Sequence, residues 1–415
     1  MGDIALTTLG QDIMARLDEA ARFSEPGPGV TRFFLTPEHR QVADLVRRWM
    51  EEAGLAVHMD AAGTVVGRLE GPAPDAPTLI VGSHVDTVRE GGKYDGMLGV
   101  VMPIVCAQEI RRSGTALPYA LEIVAFGDEE GARFPTTLIG SRALSGLFDP
   151  ATLDLADRAG VTLGQAFADF GLDPAGIPAL KRDPEKTLGY VEVHIEQGPV
   201  LEAEDLPVGV VTAITGIERH TVAFTGKASH AGTTPMETRR DALAGAAQAI
   251  AAVERIARET DDLVGTVGSI LMEPNVINVI PARCELGVEL RSPERGIRET
   301  ARRTVLESCE EIARARGLGF EHTLGYEEDG AACSPRIVAA LKEAVEADGY
   351  RPRELFSGAG HDGLAMSALT DIGMLFVRCR DGLSHHPDEH IAEEDADAGA
   401  RVLLSFLTRF GTPRP

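Results

Sequence analysis

The chain has 415 residues, long for a single core, which points to two domains. Hydrophobic residues make up 44% and charged residues 25%, an ordinary soluble globular profile with enough apolar side chain for a sizeable core. Sixty-four acidic against 40 basic residues leave a formal net charge of −24, a surface that repels phosphate backbones and argues against a nucleic-acid partner.

The opening MGDIALTTLG has no basic region followed by an apolar run, so no secretory leader is expected. No apolar stretch approaches the roughly 18 residues of a membrane span. A cytoplasmic protein without a membrane partner is the expectation. Five scattered cysteines (Cys106, Cys284, Cys309, Cys333 and Cys379) form no CxxC pair, which argues against a disulfide framework and against a thiolate zinc site.

Residues 7–17 read as an opening helix. Thr36-Pro37-Glu38-His39 places a capping residue before a first-turn proline and predicts an amphipathic helix to about Ala53, stopped at Gly54. Apolar strands are expected at 65–69, 78–82 and 120–126, with a helix at 99–112 between the last two. Near-continuous apolar strands alternating with helices mark a sheet covered on both faces, so the fold class is α/β. After a glycine- and proline-rich stretch at 171–188 the same style resumes with a strand at 190–194.

From Gly209 the pattern becomes the alternation of half-buried strands, over 209–225. An alanine-rich helix from Asp241 to about Ile256, strands at 264–272 and 283–291, and a helix at 294–315 follow. Two strands, a helix, two strands and a helix describe a compact α+β unit inserted into the first domain. That domain resumes with the apolar segments of 354–379 and closes with a helix at 393–409. The expected boundaries are 1–212 and 328–415 for the discontinuous domain and 213–327 for the insert, with hinges near 209–216 and 326–332.

Four polar clusters stand at the ends of expected strands in the first domain. Gly82-Ser83-His84-Val85-Asp86-Thr87 leads into Gly92-Lys93-Tyr94-Asp95-Gly96. His84 would present a neutral imidazole, Asp86 could accept its other ring N–H, and Asp95 in a glycine-rich loop could offer one oxygen to each of two metals. Asp128-Glu129-Glu130-Gly131 crowds three carboxylates that repel one another unless a cation or proton sits among them. Adjacent glutamates can divide the work, one binding metal and one acting as general base. The third cluster is His194-Ile195-Glu196-Gln197-Gly198, and the fourth Ser384-His385-His386-Pro387-Asp388-Glu389. Any one alone could be a solvated polar turn or a structural histidine; four at strand ends in one domain argue for a metal site. Its nitrogen and oxygen ligands would suit Zn, Mn, Co or Ni.

The motifs GSHVDTV, GGKYDGMLGV, DEEGARF, HIEQGPVLE, GKASHAGTTPM, NVIP, SGAGHDG and GLSHHPDE stand in the order found in the amidase/hydantoinase/carbamoylase family of the aminoacylase-like metallopeptidase superfamily. The chain resembles that family over nearly its whole length. The resemblance implies a metallopeptidase-like catalytic domain with helices on both faces of a mixed sheet, and an inserted ferredoxin-like domain serving as lid and dimerisation surface. It implies two divalent ions per subunit, Mn2+ or Zn2+, with Co2+ and Ni2+ also suited. His84 and His194 would hold one ion, Glu130 and His385 the other, and Asp95 would bridge them. Glu129 is the implied general base and Asp86 the partner of His84. His385 is preferred to His386 because Glu389 stands four residues after it, although His386 occupies a place usually held by Asn, so both imidazoles remain candidates.

The same resemblance implies that His230 stabilises the oxyanion and comes from a second subunit of a homodimer. Asn278 would hydrogen-bond the substrate, Arg291 would clamp its carboxylate with the bidentate fork of a guanidinium, and Gln197 would contact the ureido or carboxylate end. Glu289 stands where the family usually has Asp. Residues 31–39, 49–55, 60–63 and 376–379, with Arg219 in the insert, are most similar to allantoate amidohydrolases, and an extra cation suits a polar diureido carboxylate. N-carbamoyl-L-amino-acid hydrolase or β-ureidopropionase activity is the alternative. A dipeptidase or aminoacylase is disfavoured by HIEQG and HAGTTPM, and an inactive binding protein by the presence of Glu129 and every ligand.

Overall fold

The computed structural model describes residues 8–411. Residues 1–7, most of the opening segment on which no leader is expected, lie outside them. Two compact units emerge: one runs from the start of the described residues to Thr212 and resumes at Ala332, and the other is Ala213–Ala331. No helix among the described residues is long and apolar enough to cross a membrane.

The first unit is built on a mixed sheet. Its strands run in the order Ala56–Met59, Val65–Leu69, Ala120–Phe126, Thr78–His84, Thr187–Ile195, Ile372–Val377 and Val208–Ile214, with the short strands Ala331–Ala332 and Glu354–Ser357 also paired to Val208–Ile214. The four central strands from Ala120–Phe126 to Ile372–Val377 are mutually parallel, and the flanking ones pair antiparallel. Every residue of Ala120–Phe126 and of Ile372–Val377 is buried, which requires cover on both faces. Helix Met97–Ser113 supplies part of that cover. It is apolar almost all round, burying Leu98, Val101, Ile104, Val105 and Ile110, as a helix between sheet and outer layer must. The outer helix Pro37–Glu52 is amphipathic instead, with Val42, Leu45, Val46, Trp49 and Met50 buried at helical spacing. It is started by Thr36, whose hydroxyl accepts from the His39 N–H. The closing helix Glu393–Arg409 lays Ala396, Ala400, Leu403 and Leu407 on the same core.

Because the four central strands are parallel, their carboxyl ends share one edge. His84 and Phe126 are opposite each other in register, as are His194 and Phe376. All four polar clusters of the sequence follow from that edge.

The second unit has a four-stranded antiparallel sheet ordered Gly319–Glu328, Gly216–Thr225, Arg283–Ser292, Val264–Glu273, with helices Ala242–Arg258 and Arg295–Arg316 packed on it. Arg283–Ser292 alternates strictly between half-buried and buried, its Cys284, Leu286, Val288 and Leu290 facing the helices. One expectation changes here. Residues 208–211 do not pair with Gly216–Thr225; they join the sheet of the first unit, and the fourth strand of the insert is Gly319–Glu328. That edge strand is largely exposed and carries only Phe320, Leu324 and Tyr326 as large apolar side chains, so its periodicity is faint.

Candidate metal centre

The edge brings together six residues from four chain segments. Asp95 is at the centre. Its Oδ1 lies 3.1 Å from His194 Nε2 and 3.4 Å from His84 Nε2, and its Oδ2 lies 3.4 Å from His385 Nε2. His385 Nε2 is also 3.6 Å from Glu130 Oε2, and His84 Nε2 is 3.9 Å from Glu129 Oε2. Three sets of potential ligand atoms therefore converge within 4.8 Å: His84, Asp95 and His194; Asp95, Glu130 and His385; and His84, Glu129 and Glu130. Asp95 belongs to two of them through different oxygens. Of the two adjacent imidazoles, His385 faces the cluster, while His386 turns outward, its Nδ1 accepting from the Asp388 N–H at 3.1 Å.

Both inner histidines are oriented through their other ring nitrogen. His84 Nδ1 lies 2.9 Å from the backbone oxygen of Asp86, and His194 Nδ1 lies 2.9 Å from that of Ile195. Each carbonyl can only accept, so a proton sits on Nδ1 and Nε2 is the nitrogen turned into the cluster. The carboxylate of Asp86 stands farther from His84, at 3.7 Å. It accepts instead from the backbone N–H groups of Glu129 and Glu130, each at 3.2 Å. Asp86 thus orients His84 by its main chain and the glutamate pair by its side chain.

The backbone is bent to make these contacts. Asp128, Gln197 and His385 all have positive φ, at 66°, 56° and 56°, a conformation that non-glycine residues hold only where surrounding structure imposes it. Gly96 has φ 65°, and a Cβ there would collide with the His84 ring. Only glycine fits.

Electrostatics follow from crowding. Burial opposes charge on Asp95, but His194, His385 and His84 outweigh it and hold the carboxyl well below its usual range. Burial drives Glu129 well above the carboxylate range, with Glu130, Asp362 and Asp86 adding to it against the pull of His84. Burial and then Asp95 push Glu130 up to about 7. Glu130 Oε1 is buried and finds no hydrogen-bond partner among the described residues. Several buried carboxylates facing imidazole nitrogens, with the Glu130 oxygen left unpartnered, fit divalent cations of the Mn, Zn, Co or Ni type.

Gln197 belongs to this cluster: its Nε2 donates to Asp95 Oδ2 at 2.8 Å, and its Oε1 is buried without a partner. His361, in the GHDG motif, carries no role in the sequence reading. Its ring packs edge-on against that of His194 at 4.5 Å, and Ser357 Oγ lies 2.7 Å from its Nε2. Ser384 donates to Asp95 Oδ2 at 2.7 Å. Its place directly before His385 was the one signal that could have singled it out.

The remaining candidates lie in the insert. His230 Nδ1 accepts from the N–H groups of Gly232 and Thr233 at 3.1 and 3.2 Å, which leaves its proton on Nε2. The short strand pair Ser229–His230 with Val279–Ile280 sets Asn278 beside it, and both are exposed. Arg219 Nε and Arg291 Nε each donate at 2.7 Å to a different oxygen of Glu289, and Arg219 stacks on Tyr326 at 5.3 Å. This linked trio occupies the sheet face opposite the insert's helices. Arg219 and Glu289 also line an open pocket of about 380 Å³ on that face.

Comparison with known proteins places this site among relatives. The model of peptidase family M20/M25/M40 matches residues 80–409. The chain is 43% identical over 395 residues to N-carbamoyl-L-amino acid amidohydrolase of Geobacillus stearothermophilus, covering 95% of this chain and 97% of that one. It is 36% identical over 440 residues to allantoate deiminase of Arabidopsis thaliana, covering 98% and 83%. The crystal structure of an amidase of the hydantoinase/carbamoylase family from Burkholderia multivorans superposes with a TM-score of 0.93 at 34% identity, over 99% of this chain and all of that one.

Proposed function

The chain belongs to peptidase family M20/M25/M40, and from that premise we propose that it is a two-metal amidohydrolase that cleaves a ureido C–N bond in a small carboxylate substrate. The observation that carries the reading is the Asp95 carboxylate, whose two oxygens face His84 with His194 on one side and His385 with Glu130 on the other. The names of the relatives support a ureido bond over a peptide bond.

Ions held by these residues would supply a Lewis acid for the carbonyl oxygen and lower the pKa of a water molecule. Glu129 takes the proton of the attacking water on its carboxylate and delivers it to the departing nitrogen. Its Oε2 lies 3.9 Å from His84 Nε2, beside the ligand sets it would serve. Asp86 keeps Glu129 and Glu130 in register through their amides. His230, with its proton on Nε2, is a ready donor to the oxyanion of the tetrahedral intermediate. In this reading it comes from the insert of a second copy, and the working unit is a homodimer. Asn278 and Gln197 hydrogen-bond the substrate, and Arg291 clamps its carboxylate.

Allantoate is the proposed substrate, giving ureidoglycine or ureidoglycolate with ammonia and carbon dioxide. The pair of guanidiniums joined by Glu289 supports it, because a diureido carboxylate offers oxygen acceptors for both. N-carbamoyl-L-amino acids are the second reading, favoured by the higher identity to the Geobacillus enzyme. The test removes metal with a chelator, restores Mn2+ or Zn2+, and measures ammonia release from allantoate, N-carbamoyl-L-amino acids and a dipeptide. Metal-restored turnover of a ureido substrate is expected. Metal-independent activity, or cleavage of the dipeptide alone, would sink the reading.

A further inference from the structure

We propose that Glu389 is the positioning residue of the metal centre, fixing main chain and side chain of Asp95 so that its two oxygens face both ligand sets. The inference rests on reading Asp95 as the shared ligand of two ions. Glu389 Oε1 accepts from the backbone N–H groups of Tyr94 and of Asp95 itself, both at 3.0 Å. Its Oε2 lies 3.1 Å from Ser384 Oγ, which in turn lies 2.7 Å from Asp95 Oδ2. One carboxylate therefore grips the Asp95 amide directly and, at the side chain, shares with Asp95 Oδ2 the single hydroxyl proton of Ser384.

The grip is tight for three reasons. Glu389 is buried, and a carboxylate taken out of water holds firmly to whatever donors it has, here two amides and a share of the Ser384 hydroxyl. It also stands in the same loop as His385, so the loop that brings one ligand orients another. Gly92 makes the room: a Cβ there would collide with the Glu389 carboxylate, whose oxygens are pinned and cannot swing away. A shared ligand needs such support more than a terminal one. A small rotation of Asp95 about Cα–Cβ keeps one oxygen in place and misplaces the other.

The test compares the wild-type protein with Glu389→Gln, Glu389→Asp and Glu389→Ala after reconstitution with Mn2+. The readouts are metal content, the electron paramagnetic resonance of bound Mn2+, thermal melting and steady-state kinetics. The wild-type protein is expected to hold two Mn2+ per chain with the spectrum of a spin-coupled pair. Glu389→Gln keeps an acceptor for the two amides and can donate to Ser384, so the coupled pair should persist. Glu389→Asp keeps the charge but is too short to span both amides and Ser384. It and Glu389→Ala should lose the coupled signal and weaken the second Mn2+ by about 10–100-fold, with kcat falling in step and KM little changed.

A coupled pair at wild-type affinity in folded Glu389→Asp or Glu389→Ala overturns the inference. Loss of the pair in Glu389→Gln overturns it too, since charge rather than grip would then be what matters. A wild-type protein without a coupled pair overturns instead the two-ion reading beneath it.

Discussion

Oδ2 of Asp95 lies 3.4 Å from Nε2 of His385, while its other oxygen faces His194 and His84. This division makes Asp95 the residue on which a two-ion site stands or falls. Asp95→Asn preserves shape but replaces one oxygen with an NH2 group that cannot ligate. It should lower bound metal from two ions to one and cut kcat more than about 100-fold, measured by metal analysis beside ammonia release. Two ions bound with full activity would remove Asp95 from the bridging role.

Glu129 and Glu130 both stand near His84, and the geometry admits either as a ligand. Separate roles predict separate phenotypes. Glu129→Gln should retain both ions and lose about 10²–10⁴-fold in kcat, the usual contribution of a positioned acid–base group. Glu130→Gln should lose metal as well. If Glu129→Gln also came out metal-depleted, the two assignments would have to be exchanged.

The Glu289 link between Arg219 and Arg291 predicts a split between substrates. Arg219→Ala should raise KM for allantoate by at least about tenfold, the cost of roughly one charge-assisted hydrogen bond, and leave N-carbamoyl-L-amino acids nearly unaffected. Arg291→Ala should weaken both. Equal losses on both substrates in Arg219→Ala would argue that Arg219 only supports the surface.

Gly96 pairs a left-handed φ of 65° with close approach to the His84 ring. Gly96→Ala should therefore displace His84 and reduce metal affinity, while melting of the metal-free protein changes far less than metal-loaded melting. Unchanged metal binding would show that the ring can yield.

His39 offers a pH prediction away from the metal. Its ring is fully buried between Phe34 and Phe170, and Nδ1 accepts from the Leu35 N–H at 3.0 Å. Burial first, then Arg32, Arg40 and Arg133, lowers its pKa to about 3. The unfolded chain, titrating near 6.5, binds the proton more readily than the folded one, so this contribution is fully present above pH 6.5 and is lost as pH falls toward 3. Within that window it amounts to at most about 1.4 kcal/mol per pH unit. Denaturant melts of wild type and His39→Gln between pH 7 and 4 should converge as pH falls. Parallel curves would be the contrary result.

Much of this protein was legible from its chain alone. Strands Val65–Leu69 and Ala120–Phe126 and helix Glu393–Arg409 fall where hydrophobic runs predict them, because the core buries each apolar run in whole or in large part. The clusters at His84, Asp128–Glu130, His194 and Ser384–Glu389 were visible as polar breaks after apolar strands. Their shared site was only an inference until parallel pairing put those strand ends on one edge.

Tertiary structure decided what local pattern cannot encode. The partner of the His84 ring N–H is the carbonyl of Asp86 rather than its carboxylate, and the Gln197 amide reaches Asp95. Of the adjacent pair, His385 faces the cluster because its backbone takes a left-handed turn. Residues 208–211 belong to the first unit's sheet, and the exposed strand Gly319–Glu328 completes the other. The physical reason is common to all of these. Hydrophobic periodicity records which face of an element is buried, whereas the direction of a polar side chain is set by donors and acceptors that distant segments bring to it.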